Sequence, residues 1–149
     1  MSHNNKVIDL FAGCGGFSCG FEQAGFEIIK AVEFDKEIAA SYIHNHSGTV
    51  VFAEDIGKID DVDHFTPREA DIIIGGPPCQ GFSMAGARIR GSRAFMEDPR
   101  NYLFRHYVNV VKIVRPKIFL LENVKGILSK DNGAIFEEIV NTFGDPEVF

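Results

Sequence analysis

Residues 70–83 read Ala70-Asp71-Ile72-Ile73-Ile74-Gly75-Gly76-Pro77-Pro78-Cys79-Gln80-Gly81-Phe82-Ser83, an apolar run that breaks abruptly into a turn. Three consecutive isoleucines with no polar alternation read as a strand buried on both faces. Two prolines then fix φ and withdraw two ladder donors, so the strand cannot continue. The result is a stiff turn at a strand's carboxyl edge, holding one thiol outward. In open α/β sheets that edge is where ligands bind. Most free cysteines are small buried fillers. A filler needs neither two prolines before it nor a Gln-Gly-Phe-Ser turn after it, so Cys79 reads as a nucleophile.

Outward from this turn, strand and helix patterns alternate along the chain. Lys6–Phe11 reads as a short apolar strand, Ala12–Gly16 as a glycine-rich turn and Phe17–Ala24 as a short helix. Glu27–Glu33 reads as a second strand, Asp35–Asn45 as a helix with Asp35 at its N-cap, and Val50–Phe52 as a third strand. The isoleucine run is the fourth strand. Tyr102–Val114 follows as a helix, Lys117–Glu122 as a fifth, buried strand, and Ala134–Phe143 as a last helix. This alternation predicts an α/β fold, a mostly parallel sheet covered by helices on both faces. Right-handed crossovers then bring the loops bearing Gly13–Gly16, Glu33, Asp55, Cys79 and Glu122 to one rim. Between Phe82 and Asn101 there is no periodicity, and a loop of that length inside a compact domain is usually functional.

The 149 residues suit one domain, with 45% hydrophobic and 24% charged residues as in ordinary soluble proteins. The chain has no apolar stretch long enough to span a bilayer and no signal-peptide core at its start, so a cytoplasmic protein without membrane contact is expected. Three cysteines, Cys14, Cys19 and Cys79, with no Cys-x-x-Cys pair, argue against a disulfide framework or a metal site. A formal charge of −6 argues against nucleic acid, but its distribution argues the other way. Between Met84 and Lys117 stand Arg88, Arg90, Arg93, Arg100, Arg105, Lys112, Arg115 and Lys117 against only Glu97 and Asp98. Such a segment is built to face phosphates, and its predominance of arginine suits bidentate contact.

Asp9-Leu10-Phe11-Ala12-Gly13-Cys14-Gly15-Gly16-Phe17-Ser18 joins the first strand to the first helix. Glycines there let backbone approach a ligand closely, although Ser18 fills the third glycine position of a dinucleotide fingerprint. Glu33 lies about 20 residues beyond, where a carboxylate can accept bonds from ribose hydroxyls. Asp55, ending the third strand, suits an adenine amino group or a plain surface loop equally. Glu122 closes the fifth strand beside Ile118-Phe119-Leu120-Leu121. Burial there would raise a carboxyl pKa toward the range of a proton donor, while Asn123 could orient the turn.

With these residues assembled, Asp-Leu-Phe-Ala-Gly-Cys-Gly-Gly at 9–16, Gly-Gly-Pro-Pro-Cys-Gln-Gly-Phe-Ser at 75–83 and Glu-Asn-Val at 122–124 resemble three motifs of the DNA cytosine C5-methyltransferases, in order and spacing. The resemblance implies a Rossmann-like fold that binds S-adenosyl-L-methionine and acts on duplex DNA. Phe11, Gly13 and Gly15 would cradle the cofactor. Glu33 would take the ribose hydroxyls, Phe34 would pack on the adenine, Asp55 and Ile56 would read its edge, and Pro77 and Leu103 would complete the pocket. Cys79 would attack C6 of a flipped cytosine, with Glu122 at N3 and Asn123 beside it. Gln80, Ser83, Arg88, Arg90 and Arg93 would hold the nucleic acid.

The chain also departs from that family. Its Gln-x-Arg-x-Arg motif, target-recognition region and carboxyl-terminal motif are missing, so residues 1–149 read as the amino-terminal part of a catalytic domain whose sheet is incomplete at the carboxyl-terminal side. A sixth strand starts to form at Pro146-Glu147-Val148-Phe149. The apolar edge Ile118–Leu121 is expected to be an association site. A second polypeptide carrying the recognition region would complete the enzyme. The alternatives are an inactive truncated fragment, a cofactor-binding module, and an enzyme using the same chemistry on RNA cytosine. A dehydrogenase would leave Pro77-Pro78-Cys79 unexplained.

Overall fold

The structure is a computed structural model that describes residues 5–78, 103–129 and 133–144. Five strands form one sheet: β1 (Lys6–Leu10), β2 (Glu27–Val32), β3 (Val50–Phe52), β4 (Ile72–Gly75) and β5 (Ile118–Leu121). Every neighbouring pair is parallel, in the order β3-β2-β1-β4-β5. Four helices accompany it: α1 (Gly16–Gln23), α2 (Lys36–Asn45), α3 (Leu103–Val114) and α4 (Ala134–Gly144). The five strands and four helices expected within the described residues are present near their expected bounds. Two short 3₁₀ turns, Ile56–Lys58 and Lys125–Leu128, were not foreseen. Both are single turns with no hydrophobic period to betray them.

The order of the strands fixes where a ligand can sit. From β1 the chain moves outward through β2 and β3, then crosses back to place β4 on β1's other side, with Leu10 opposite Gly75. The crevice at such a reversal is the general ligand position of open α/β sheets. Side-chain alternation along β1 divides the core accordingly. Ile8 and Leu10 join Ile73 in packing under Tyr107, Val110, Val111 and Val114 of α3. Val7 joins Ile28, Ile72 and Ile74 on the opposite face, against Phe21 and Phe26. The apolar stripe of α3 explains its docking: Phe104, Tyr107, Val108, Val111 and Val114 recur at three- and four-residue spacing and are all buried.

One expectation fails. Lys117–Glu122 is expected as a buried strand with an unpaired edge at Ile118–Leu121; the edge is found, but Ile118 is 60% and Leu120 43% exposed. Their partners in register, Ile72 and Ile74, are buried. The apolar run has the composition of a central strand, yet among the described residues β5 lies at the sheet's edge. Phe119 and Leu121, on its other face, do pack into the core. No described helix is long and apolar enough to cross a membrane.

Candidate functional site

The turn after β1 is held from below by a buried polar network. Asp9, alone among apolar neighbours on β1, points toward α1 and is completely buried. Its Oδ2 accepts a 2.7 Å bond from the Ser18 hydroxyl, and Ser18 Oγ lies 2.6 Å from the Tyr42 hydroxyl of α2. Ser18 offers Asp9 its backbone amide as well. The helix N-cap, Gly15, provides no side-chain cap of its own, so Asp9 caps α1 from the neighbouring strand. Burial pushes the Asp9 carboxyl up to about 6, although the Ser18 bonds and the charge of His46 act against it. Its second oxygen, Oδ1, has no hydrogen-bond partner among the described residues.

Gly15 is required by both its backbone and its surroundings. Its φ is 90°, and a Cβ there would sit 2.0 Å from Nε2 of His46. That imidazole is buried, tilted against the Tyr42 ring at 4.4 Å between centroids and bonded through Nδ1 to Glu22 at 2.8 Å. Above the network, Phe11 adopts a left-handed backbone, φ 59°, uncommon for an aromatic residue and the kind of strain that gathers at binding sites. Ser18, which spoils the dinucleotide fingerprint, thus has its own structural role. An acid inside an apolar strand was the signal for this network; Tyr42 and His46 gave none.

Beside the turn opens a cavity of about 620 Å³, within the range of small-molecule sites. Phe11, Glu33, Phe34, Asp55, Ile56 and Leu103 line it, six of the nine residues expected at a cofactor. Glu33 sits at the end of β2 with its carboxylate spanning two loops. Oε2 accepts from the Gly13 amide and Oε1 from the Asp35 amide, both at 2.9 Å. Phe34 is 72% exposed, leaving a bare ring face. Asp55 caps the first 3₁₀ turn through Gly57. Gly13 and Gly15 form the turn rather than the lining, and Pro78 lines the cavity where Pro77, itself buried, does not. Asp35, Ile38 and Glu54 are additions; their signal is only proximity to strand ends. Among the described residues, four carboxylates line this space.

The turn after β4 closes the cavity's far side. A Cβ on Gly75 would meet the Leu10 carbonyl at 2.4 Å, and one on Gly76 would meet Glu122 Oε2 at 2.9 Å. The glycine pair is therefore what lets β4 lie against β1 while the turn approaches Glu122. Asn123 supports the same corner: its Oδ1 accepts from the Val124 amide and its Nδ2 reaches the Pro77 carbonyl at 3.5 Å. The burial expected for Glu122 is not found. Its side chain is exposed at the rim, because β5 ends before it. Cys79, Gln80, Ser83, Arg88, Arg90 and Arg93 lie outside the described residues, as does the stretch Pro146–Phe149.

Comparison with known proteins agrees with this geometry. The model of the family described as C-5 cytosine-specific DNA methylase matches residues 5–146. The Type II methyltransferase M.NgoPII of Neisseria gonorrhoeae is 50% identical over 131 residues, 87% of this chain and 36% of that protein. The Type II methyltransferase M1.HphI of Haemophilus parahaemolyticus is 42% identical over 139 residues, 91% of this chain and 37% of that protein. The crystal structure of a proposed DNA modification methyltransferase from an E. coli prophage superposes with a TM-score of 0.74 at 32% identity, covering 95% of this chain and 38% of that one. The chain thus spans little more than a third of the length of these relatives.

Proposed function

The chain belongs to the C-5 cytosine-specific DNA methylases, and from that premise we propose that it binds S-adenosyl-L-methionine and supplies the catalytic cysteine for methylation of cytosine C5 in duplex DNA. One observation carries the reading. The carboxylate-lined cavity, the Gly-Gly-Pro-Pro turn that leads into Cys79, and Glu122 share one rim, with Gly76 lining the cavity and touching Glu122.

The residues fit the methyl donor. Glu33 has lone pairs left for a ribose diol after its two amide bonds, and Phe34 and Ile38 offer apolar surface to a base. Asp55 stands where it can accept from an exocyclic amine. The four carboxylates among the described lining residues suit the hydroxyls and amine of a nucleoside. When bound, the donor supplies an electrophilic methyl group on a sulfonium.

The chain's own part is to make cytosine C5 nucleophilic. The Cys79 thiolate adds to C6 of an extruded base, and the electron pair of the 5,6 double bond moves to C5. Glu122 holds N3 and stabilises the resulting enamine. After C5 takes the methyl group, a base removes the C5 proton, and the electron pair it leaves expels the Cys79 thiolate and restores the double bond. Gln80, Ser83 and the arginines of the 88–93 segment are assigned to phosphate and to the flipped nucleotide. Recognition of a target sequence is assigned to polypeptide beyond this chain, either continuous with it or separate.

The test is transfer of labelled methyl from S-adenosylmethionine to mixed-sequence duplex DNA, by the chain alone and together with the remaining two thirds of such an enzyme. Transfer that vanishes with Cys79→Ser supports the reading. Undiminished transfer by that variant, or transfer to RNA and not DNA, would overturn it.

A further inference from the structure

We propose that Asp60, His106 and Asn109 form a clamp that sets the width of the base-binding end of the cavity, and so serve as positioning residues for base discrimination. This rests on reading the cavity as a nucleoside site. Two of its walls come from separate parts of the chain: Asp55 and Ile56 from the turn after β3, and Leu103 from the first residue of α3. Ile56 and Leu103 share one core cluster with Tyr107 and Val110, but apolar packing is non-directional and neither wall is a strand, so the sheet does not fix the distance between them.

The clamp supplies that constraint. Leu103, His106 and Asn109 recur every third residue and share one stripe of α3. His106 Nδ1 lies 2.9 Å from Asp60 Oδ2. Asn109 Nδ2 donates to the same oxygen at 3.0 Å and to the Asp60 backbone carbonyl at 2.7 Å. The imidazole also rests on the 3₁₀ turn itself, where a Cβ at Gly57 would come within 3.1 Å of His106 Cε1. One face of α3 is thus fastened, just beyond Leu103, to the turn that carries Ile56. Loss of the clamp would let the helix end swing away from Asp55, widening the slot without removing any residue that touches the base.

The experiment compares binding of S-adenosylhomocysteine with its inosine counterpart, which replaces the exocyclic amine by a carbonyl. It is run on the wild-type chain, Asp60→Ala, His106→Leu and His106→Asn, well below each melting temperature. The last variant keeps a donor near the position of Nδ1. His106→Leu and Asp60→Ala should weaken the adenosine ligand by about ten-fold, the usual loss of a hydrogen bond to a charged acceptor. Discrimination between the two ligands should shrink with it, and His106→Asn should recover both. Equal losses for both ligands, or none, would overturn the clamp as a determinant of the base.

A second readout needs no ligand. Backbone amides of residues 57–60 and 103–106 should exchange at least ten-fold faster in the two disrupting variants while those of β1 do not change. Unchanged exchange in the first two segments would overturn the clamp. Failure of the wild-type chain to bind either ligand would instead refute the nucleoside reading, and exchange alone would then decide whether the two walls are fastened together.

Discussion

The two flanks of β1 are built on different physical terms. On the β2 side, the rim is a web of named polar contacts: Asp9 to Ser18, Ser18 to Tyr42, His46 to Glu22, Glu33 to two loop amides. On the β5 side, the strand presents Ile118 and Leu120 to solvent. The first flank is tied together by these contacts, so its geometry tolerates little change. On the second, Tyr107 ties Ile73 to Leu120 and Lys117 pairs with Asp71, but Ile118 and Leu120 face solvent, so substitutions at those two positions should cost little folding energy. The two flanks thus differ in how much of their surface is polar and tied and how much is apolar and exposed.

Gly15→Ala is the harshest way to break that contrast. The new methyl meets His46 with the backbone already in the left-handed region, so strain and overpacking add. We expect a loss of about 4 kcal/mol in urea unfolding, far more than an alanine change at the exposed Ile118 or Leu120 of β5. A loss below about 1 kcal/mol would mean that the turn is not pinned from below.

The buried acid gives a sharper, pH-dependent version. The Asp9 carboxyl is held up at about 6 in the fold, above 3.8 when unfolded, chiefly by burial, with His46 and Glu33 as charged neighbours. A raised carboxyl favours folding while protonated. Its contribution is fully present below 3.8 and is lost as pH rises through about 6. Asp9→Asn does not titrate. Wild-type stability minus that of Asp9→Asn should therefore fall by about 3 kcal/mol across this window. A difference independent of pH would show that Asp9 ionises in the fold as it does in water.

The smallest effect belongs to the other flank. Ile118→Lys, at a position already 60% exposed, should shift stability by less than about 0.5 kcal/mol. A charge on an exposed strand edge should also reduce self-association in sedimentation. A large destabilisation there would show that Ile118 is packed rather than presented.

Much of this contrast could be read before the structure was known. Period and punctuation gave all five strands and four helices, because each is a local pattern bounded by glycine, proline or a capping acid such as Asp35. Glu33 and Asp55 were legible because strand ends in a parallel sheet converge, whereas Phe34, Ile56 and Leu103 followed only from the resemblance to the family. What stayed hidden depends on contacts between distant residues. The cap supplied to α1 by Asp9, the imidazole under Gly15 and the tie from His106 to Asp60 each join positions with no local pattern linking them. The exposure of Ile118 and Leu120 follows the edge position that the resemblance implied, not the burial that their composition suggested. Composition reports how apolar a strand is, whereas its neighbours determine whether it is covered.

The central position of β1 also bears on how the protein is made. Its residues are the earliest strand in chain order, yet they end with β2 on one side and β4 on the other. During synthesis the β2 edge can be covered once Val32 has emerged, whereas the opposite edge must wait for Gly75. At ordinary translation speeds that wait lasts roughly several seconds. Throughout it, the backbone of Val7–Leu10 offers an unpaired edge to whatever strand is near. Slow decoding between the codons for Val32 and Ile72 should therefore lower the yield of soluble protein with no change in the finished fold.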